Sequence, residues 1–170
     1  VGTILVLVGM AAAAFIISFR PMQLQNEIKF SNDVNAIFLN LESQSFVDQR
    51  WLAQTEALNG MSIRVEVGGH PLLYTTQNQQ RDAVTRYARE LAASTYGWNA
   101  NGKDVISPSF SFEMDGKSWY GAAGNLSYKA TIMTLVVVKD RQPETTMRNR
   151  MLLGFAACIV GAALLLIAFA

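Results

Sequence analysis

Two apolar stretches without a charged residue, Val1–Phe19 and Met151–Ala170, bracket this chain, and every Lys, Arg, Asp and Glu lies between them. At about 1.5 Å of rise per residue each makes a helix about 28 to 30 Å long, matching the roughly 30 Å hydrocarbon core of a bilayer. Met151–Ala170 also lacks any amide or hydroxyl side chain, which is foreign to the core helix of a small soluble domain. Ala12, Ala13 and Ala14 fit a signal-peptide cleavage pattern, but the apolar run continues to Phe19, past the roughly 7 to 15 residues of a signal core. The expected organisation is a first transmembrane helix at 1–19, one folded region at 20–150 and a second transmembrane helix at 151–170. Membrane lipid is then a partner, and the protein is multi-pass. With no initiator Met, and an end inside an apolar run, the chain reads as a fragment of a longer protein.

Composition narrows the function of the middle region. Its 14 Lys and Arg are balanced by 13 Asp and Glu, so it lacks the basic footprint that nucleic acid requires. The single cysteine, Cys158, lies in the second apolar stretch, which removes an internal disulfide or a thiolate metal cluster from the folded region. Arg20, Arg148 and Arg150 flank that region and pull it toward the cytoplasm, yet a segment this long translocates largely regardless of charge. Charge alone leaves the side open.

The pattern within 20–150 is mixed. Gln25 to Leu58 is helical, with Val34, Ile37, Phe38 and Leu41 at i, i+3, i+4, i+7. It forms a stalk that continues past Pro21 and packs on the domain, with a kink or a change of packing partner expected near Glu42–Ser45. Asn59-Gly60 ends it. Alternation of Met61, Ile63, Val65 and Val67 with polar residues predicts a strand, Gly68-Gly69 a tight turn, and Pro71–Thr75 the returning strand. Gln80–Thr95 is a second amphipathic helix, and Gly97–Asp104 a loop. Phe110–Met114 and Lys117–Ala123 form a hairpin through Asp115-Gly116, Gly124-Asn125 turns again, and Ala130–Val138 is the last and most apolar strand, expected at the centre of the sheet. The fold class is α+β: a five-stranded antiparallel sheet with helices on one face.

Catalysis needs a nucleophile with a base, a carboxylate pair or metal ligands at a workable spacing, and none stands out. The lone His70 sits beside the Gly68-Gly69 turn, and Asp115 and Glu113 belong to a hairpin. No catalytic residue, no metal and no cofactor is assigned. For ligand binding the candidates are Arg64, as a cation for an anionic group, and Tyr74, Trp119 and Tyr120 as aromatic walls, each of which has solvated-face or core packing as its plainer explanation.

Ser62–Tyr74, and Thr134–Arg141 leading through Arg148 into the second apolar stretch, give the whole chain a layout that resembles the input region of bacterial transmembrane sensor histidine kinases of two-component systems. The resemblance implies a PAS-like extracytoplasmic sensor domain between two transmembrane helices in the plasma membrane, a homodimer with the stalk helix, including Ile37 and Leu41, at or near its interface, and an unknown extracellular ligand or accessory protein as the stimulus. It places the kinase core, with its ATP and Mg, beyond Ala170, along with the contact to a cognate response regulator. A chemoreceptor, a cyclic-dinucleotide enzyme or a non-signalling partner-binding subunit would share this layout.

Overall fold

A computed structural model describes residues 2–44, 47–73, 75–128 and 130–168. These divide into two units, one built from Glu27–Arg141 and the other from Val1–Asn26 with Gln142–Ala170.

The second of these is helical. It holds the first part of α1 (Gly2–Ser43) and all of α5 (Gln142–Ala168). Among the described residues one helix is long and apolar enough to cross a membrane, Gln142–Leu164 in α5, and none of its residues is buried. Leu153, Val160 and Leu164 are exposed along it. The expected first span lies in α1, where several side chains fall outside the described set. Pro21 is inside α1 and does not end it.

The Glu27–Arg141 unit is an α+β domain. After α1 come α2 (Gln49–Asn59), β1 (Ser62–Val67), β2 (His70–Leu73), α3 (Thr76–Gln80), α4 (Asp82–Ser94), β3 (Phe110–Met114), β4 (Lys117–Tyr128) and β5 (Thr131–Asp140). The five strands form one antiparallel sheet in the order β2-β1-β5-β4-β3. β5 is central as expected, because its run of Leu135, Val136, Val137 and Val138 is buried on both faces.

Local chemistry explains the breaks. The helix expected to run to Leu58 is interrupted after Ser43, and α2 restarts where the Asp48 carboxylate accepts from the Trp51 N–H at 2.8 Å. Gly60 ends α2 in the left-handed conformation at φ 60°. The second expected helix is present as α4, and a short helix that the sequence pattern did not predict precedes it: Thr75 and Asn78 form a capping box that starts α3 at Thr76, and Arg81 separates it from α4. Both tight turns take the conformation their sequences demand, with φ of 61° and 80° at Gly68 and Gly69 and 53° and 70° at Asp115 and Gly116.

Two expectations about the sheet are corrected. Helices cover both of its faces, not one. Phe30, Val34, Ile37, Phe38 and Leu41 of α1, with Leu52 of α2, pack on Ile63, Val65, Tyr120, Leu135 and Val137, whereas Ala88 and Ala92 of α4 pack on the face of Ala123, Val136 and Val138. Ile37 and Leu41, expected near a subunit interface, are therefore in the unit's own core. The predicted Gly124-Asn125 turn lies instead in the middle of a long β4, paired with Leu135 and Thr134. A glycine is needed at that point for lack of room: a Cβ would sit 2.5 Å from Cζ of Phe38.

A charged network and polar groove beneath helix α4

The face of the sheet that carries α4 divides into a charged part and an aromatic part. Arg64 and Glu66 are two apart on β1 and share a face, and Asp82, Arg86 and Arg89 share a face of α4 at i, i+4, i+7. Packing the helix on the strand joins them into an alternating chain. The Arg64 Nε donates to Glu66 Oε1 and its Nη1 to Asp82 Oδ1; Arg86 Nη2 lies 2.9 Å from Asp82 Oδ2, and Arg89 Nε 3.2 Å from Glu66 Oε2. Arg64, expected on a solvated strand face, is instead largely buried in this network, because α4 roofs the strand.

The two ends of the chain differ from its middle. Glu66 is 2% exposed and relies on both flanking guanidiniums to offset its desolvation. The Arg89 contact is a close ion pair without an aligned hydrogen bond, and the Arg89 side chain is 36% exposed. Three guanidiniums face two carboxylates, so this network carries one positive charge in excess, and its two ends are Arg86 and Arg89.

Arg89 borders a groove of about 590 Å³. Its floor is the end of the β1–β5 ladder, with Val67, Thr131 and Thr134; the Gly68-Gly69 turn forms one side, and Ala100 and Asn101 of the loop after α4 form another. Buried Asn125 ties that loop down. Its Nδ2 donates to the carbonyls of Asn99 and Gly102, both at 2.8 Å, while its Oδ1 accepts from the Thr134 hydroxyl at 2.8 Å. Both amide hydrogens of this side chain, and its oxygen, are thus engaged. Asn125→Ala leaves two carbonyls without that donor, and we expect a loss of about 2 to 4 kcal/mol in unfolding free energy with faster amide exchange confined at first to residues 99–104. Chemical denaturation and hydrogen exchange check this.

The aromatic part lies at the other end of the same face. The Arg81 guanidinium sits 5.3 Å from the Trp119 ring centroid and its Nη1 donates to Ser62 Oγ at 3.2 Å, while Phe110 stacks on Tyr96 at 4.5 Å and 12°. The Nε1 of Trp119 is buried with no hydrogen-bond partner among the described residues.

The four sequence candidates do not meet. Arg64 and Trp119 share the α4 face, but one is in the ion network and the other lies under Arg81. Tyr120 follows Trp119 on β4 and so faces the opposite way, into the core beside Phe30. Tyr74 lies outside the described residues. The groove is built from residues that sequence reasoning passed over, namely Arg89, Asn101, Thr131 and Thr134. One signal was present: alternation of Arg64 and Glu66 on a strand, followed by Asp82, Arg86 and Arg89 on one helical face, is a pattern of complementary charge. No group of three or more His, Cys, Asp or Glu able to hold a metal occurs among the described residues. No protein-family model, curated protein or solved structure matches the chain.

Proposed function

We propose that this protein is the sensory input region of a membrane-bound receptor, a two-component histidine kinase by its layout, with a PAS-like extracytoplasmic domain held between two transmembrane helices. The observation that carries the reading is the junction of β5 and α5. The central strand ends at Asp140 and, after Arg141 alone, one continuous helix begins at Gln142 and carries the chain through a polar stretch into the apolar segment that starts at Met151, so strand and candidate span are joined without a flexible loop. A ligand that favours one state of the domain shifts the population of states at that junction, which is what a receptor needs.

The groove at Arg89 is where such a ligand would sit. Its chemistry favours a small anion: it offers the Arg89 guanidinium and the side-chain amide of Asn101 in a space of about 590 Å³. The test has two arms. Inorganic phosphate, sulfate and acetate are titrated into the detergent-solubilised chain against chloride at matched ionic strength, with thermal unfolding as the readout. At least one is expected to raise Tm, and Arg89→Gln to weaken its apparent affinity by about tenfold, the loss of one charge-assisted hydrogen bond. No response to any of the three overturns the groove assignment. In the second arm, the active anion is added to the parent chain in vesicles and histidine autophosphorylation is measured. Binding without any change in phosphorylation overturns the receptor reading and leaves the site intact.

A further inference from the structure

One ring in the core touches both chain segments by which the Glu27–Arg141 unit joins the rest of the protein. Tyr120 is 2% exposed on the α1 side of the sheet. Phe30, near the start of the unit's share of α1, stacks on it with ring centroids 5.3 Å apart and planes at 22°. At the other terminus of the unit, the guanidinium of Arg141 lies over the same ring, 4.5 Å from its centroid. The Arg141 backbone is held as well, since its N–H donates to the Ser118 carbonyl at 2.9 Å and extends the β4–β5 ladder one step beyond Asp140.

We infer that Tyr120 is a coupling residue: its ring links the position of α1 at Phe30 to that of Arg141, the last residue before α5, so that displacement of either is felt by the other. Three physical points support this. A cation within about 6 Å of an aromatic face is attracted to it, more strongly where water is excluded. Offset stacking of two rings at this distance adds a directional preference to simple burial. A close-packed ring cannot yield gradually to one neighbour while keeping its contact with the other, because interiors are packed to crystal density and shift between discrete arrangements. Phe30 and Arg141 thus share a partner although they lie at opposite ends of the unit's sequence. The Tyr120 hydroxyl is not required by this argument; the ring is.

A double-mutant cycle tests the inference without reference to any signal, so its outcome is independent of the receptor reading. Phe30→Leu and Arg141→Gln are made singly and together, and unfolding of the detergent-solubilised chain is followed by chemical denaturation. The two changes are expected to be non-additive by at least about threefold in the unfolding constant, in the Tyr120 and the Tyr120→Phe backgrounds, and additive in Tyr120→Leu. Additivity in the wild-type background overturns the proposal, and so does an undiminished interaction in Tyr120→Leu. Should Tyr120→Leu fail to fold, hydrogen exchange decides: Arg141→Gln is expected to speed exchange by about fivefold around Phe30 as well as at Gln142–Met147, with β1 unaffected. Acceleration limited to Gln142–Met147 overturns the coupling.

Discussion

Gly124→Val is expected to destabilise the Glu27–Arg141 unit by about 3 kcal/mol, the upper part of the range for overpacking a closed core. A Cβ on residue 124 would lie 2.5 and 2.7 Å from Cζ and Cε1 of Phe38 and 3.2 Å from Cγ1 of Ile106. Neither side gives way easily. Phe38 is buried on a helix that also carries Phe30, Val34, Ile37 and Leu41 into the core, and Gly124 is paired to Leu135 in the central ladder. Relief comes by moving α1 off the sheet or bending β4, and both disturb many contacts. Equilibrium denaturation of the variant measures the loss. A companion result separates steric conflict from backbone effects: Gly124→Ala combined with Phe38→Leu is expected to be more stable than Gly124→Ala alone, since the smaller side chain vacates the contested space.

Glu56→Ala has an effect of similar size for a different reason. Glu56 is 1% exposed and bridges three elements: Oε1 accepts from the Ile63 N–H at 2.8 Å and Oε2 from the Thr75 hydroxyl, joining α2 to β1 and to the cap of α3. Alanine strands a buried N–H and a buried hydroxyl and opens a void, for an expected loss of about 3 kcal/mol. The wild-type group also makes stability depend on pH. Burial pushes its pKa above the usual 4.5, against the opposing pull of the Ile63 and Thr75 hydrogen bonds and the Arg81 charge. A carboxyl whose folded pKa is raised holds its proton more tightly in the folded chain than in the unfolded one. Its favourable contribution is therefore complete below 4.5 and declines as pH rises from there through the folded value, with no further change above it. Glu56→Gln keeps an acceptor for the Ile63 N–H and a donor for the Thr75 hydroxyl but cannot titrate. It is expected to abolish that part of the decline while leaving the fold intact, as thermal unfolding followed from pH 4 to 8 would show.

Much of this architecture was legible because short-range chemistry decided it. Asp115-Gly116 and Gly68-Gly69 needed φ above zero and took it, and the unbroken valine run of β5 belonged in the centre of a sheet. What escaped was decided by contacts distant in sequence. Gly124-Asn125 has the composition of a turn, but residue 124 is glycine because Phe38 of α1 fills its side-chain space, and residue 125 is asparagine because the loop at 99–102 needs a buried donor. Arg64 alternates with apolar residues as a solvated residue would, and only the docking of α4 encloses it. The groove at Arg89 was hidden for the same reason. Its walls come from a hairpin turn, a helix and a loop that no single window of sequence brings together, whereas the aromatic candidates were conspicuous by type and proved to be spread over both faces.

The outermost strand next to β1 is only four residues long and has Pro71 as its second residue, opposite Glu66 at an irregularity in the pairing. Proline has no N–H to offer and the strand is short, so this border gives an approaching chain few groups to hydrogen-bond in register. Strand-to-strand growth from that side, whether into a continuous sheet across two copies or into a fibril, is disfavoured by covalent structure and not by charge, so salt does not relieve it.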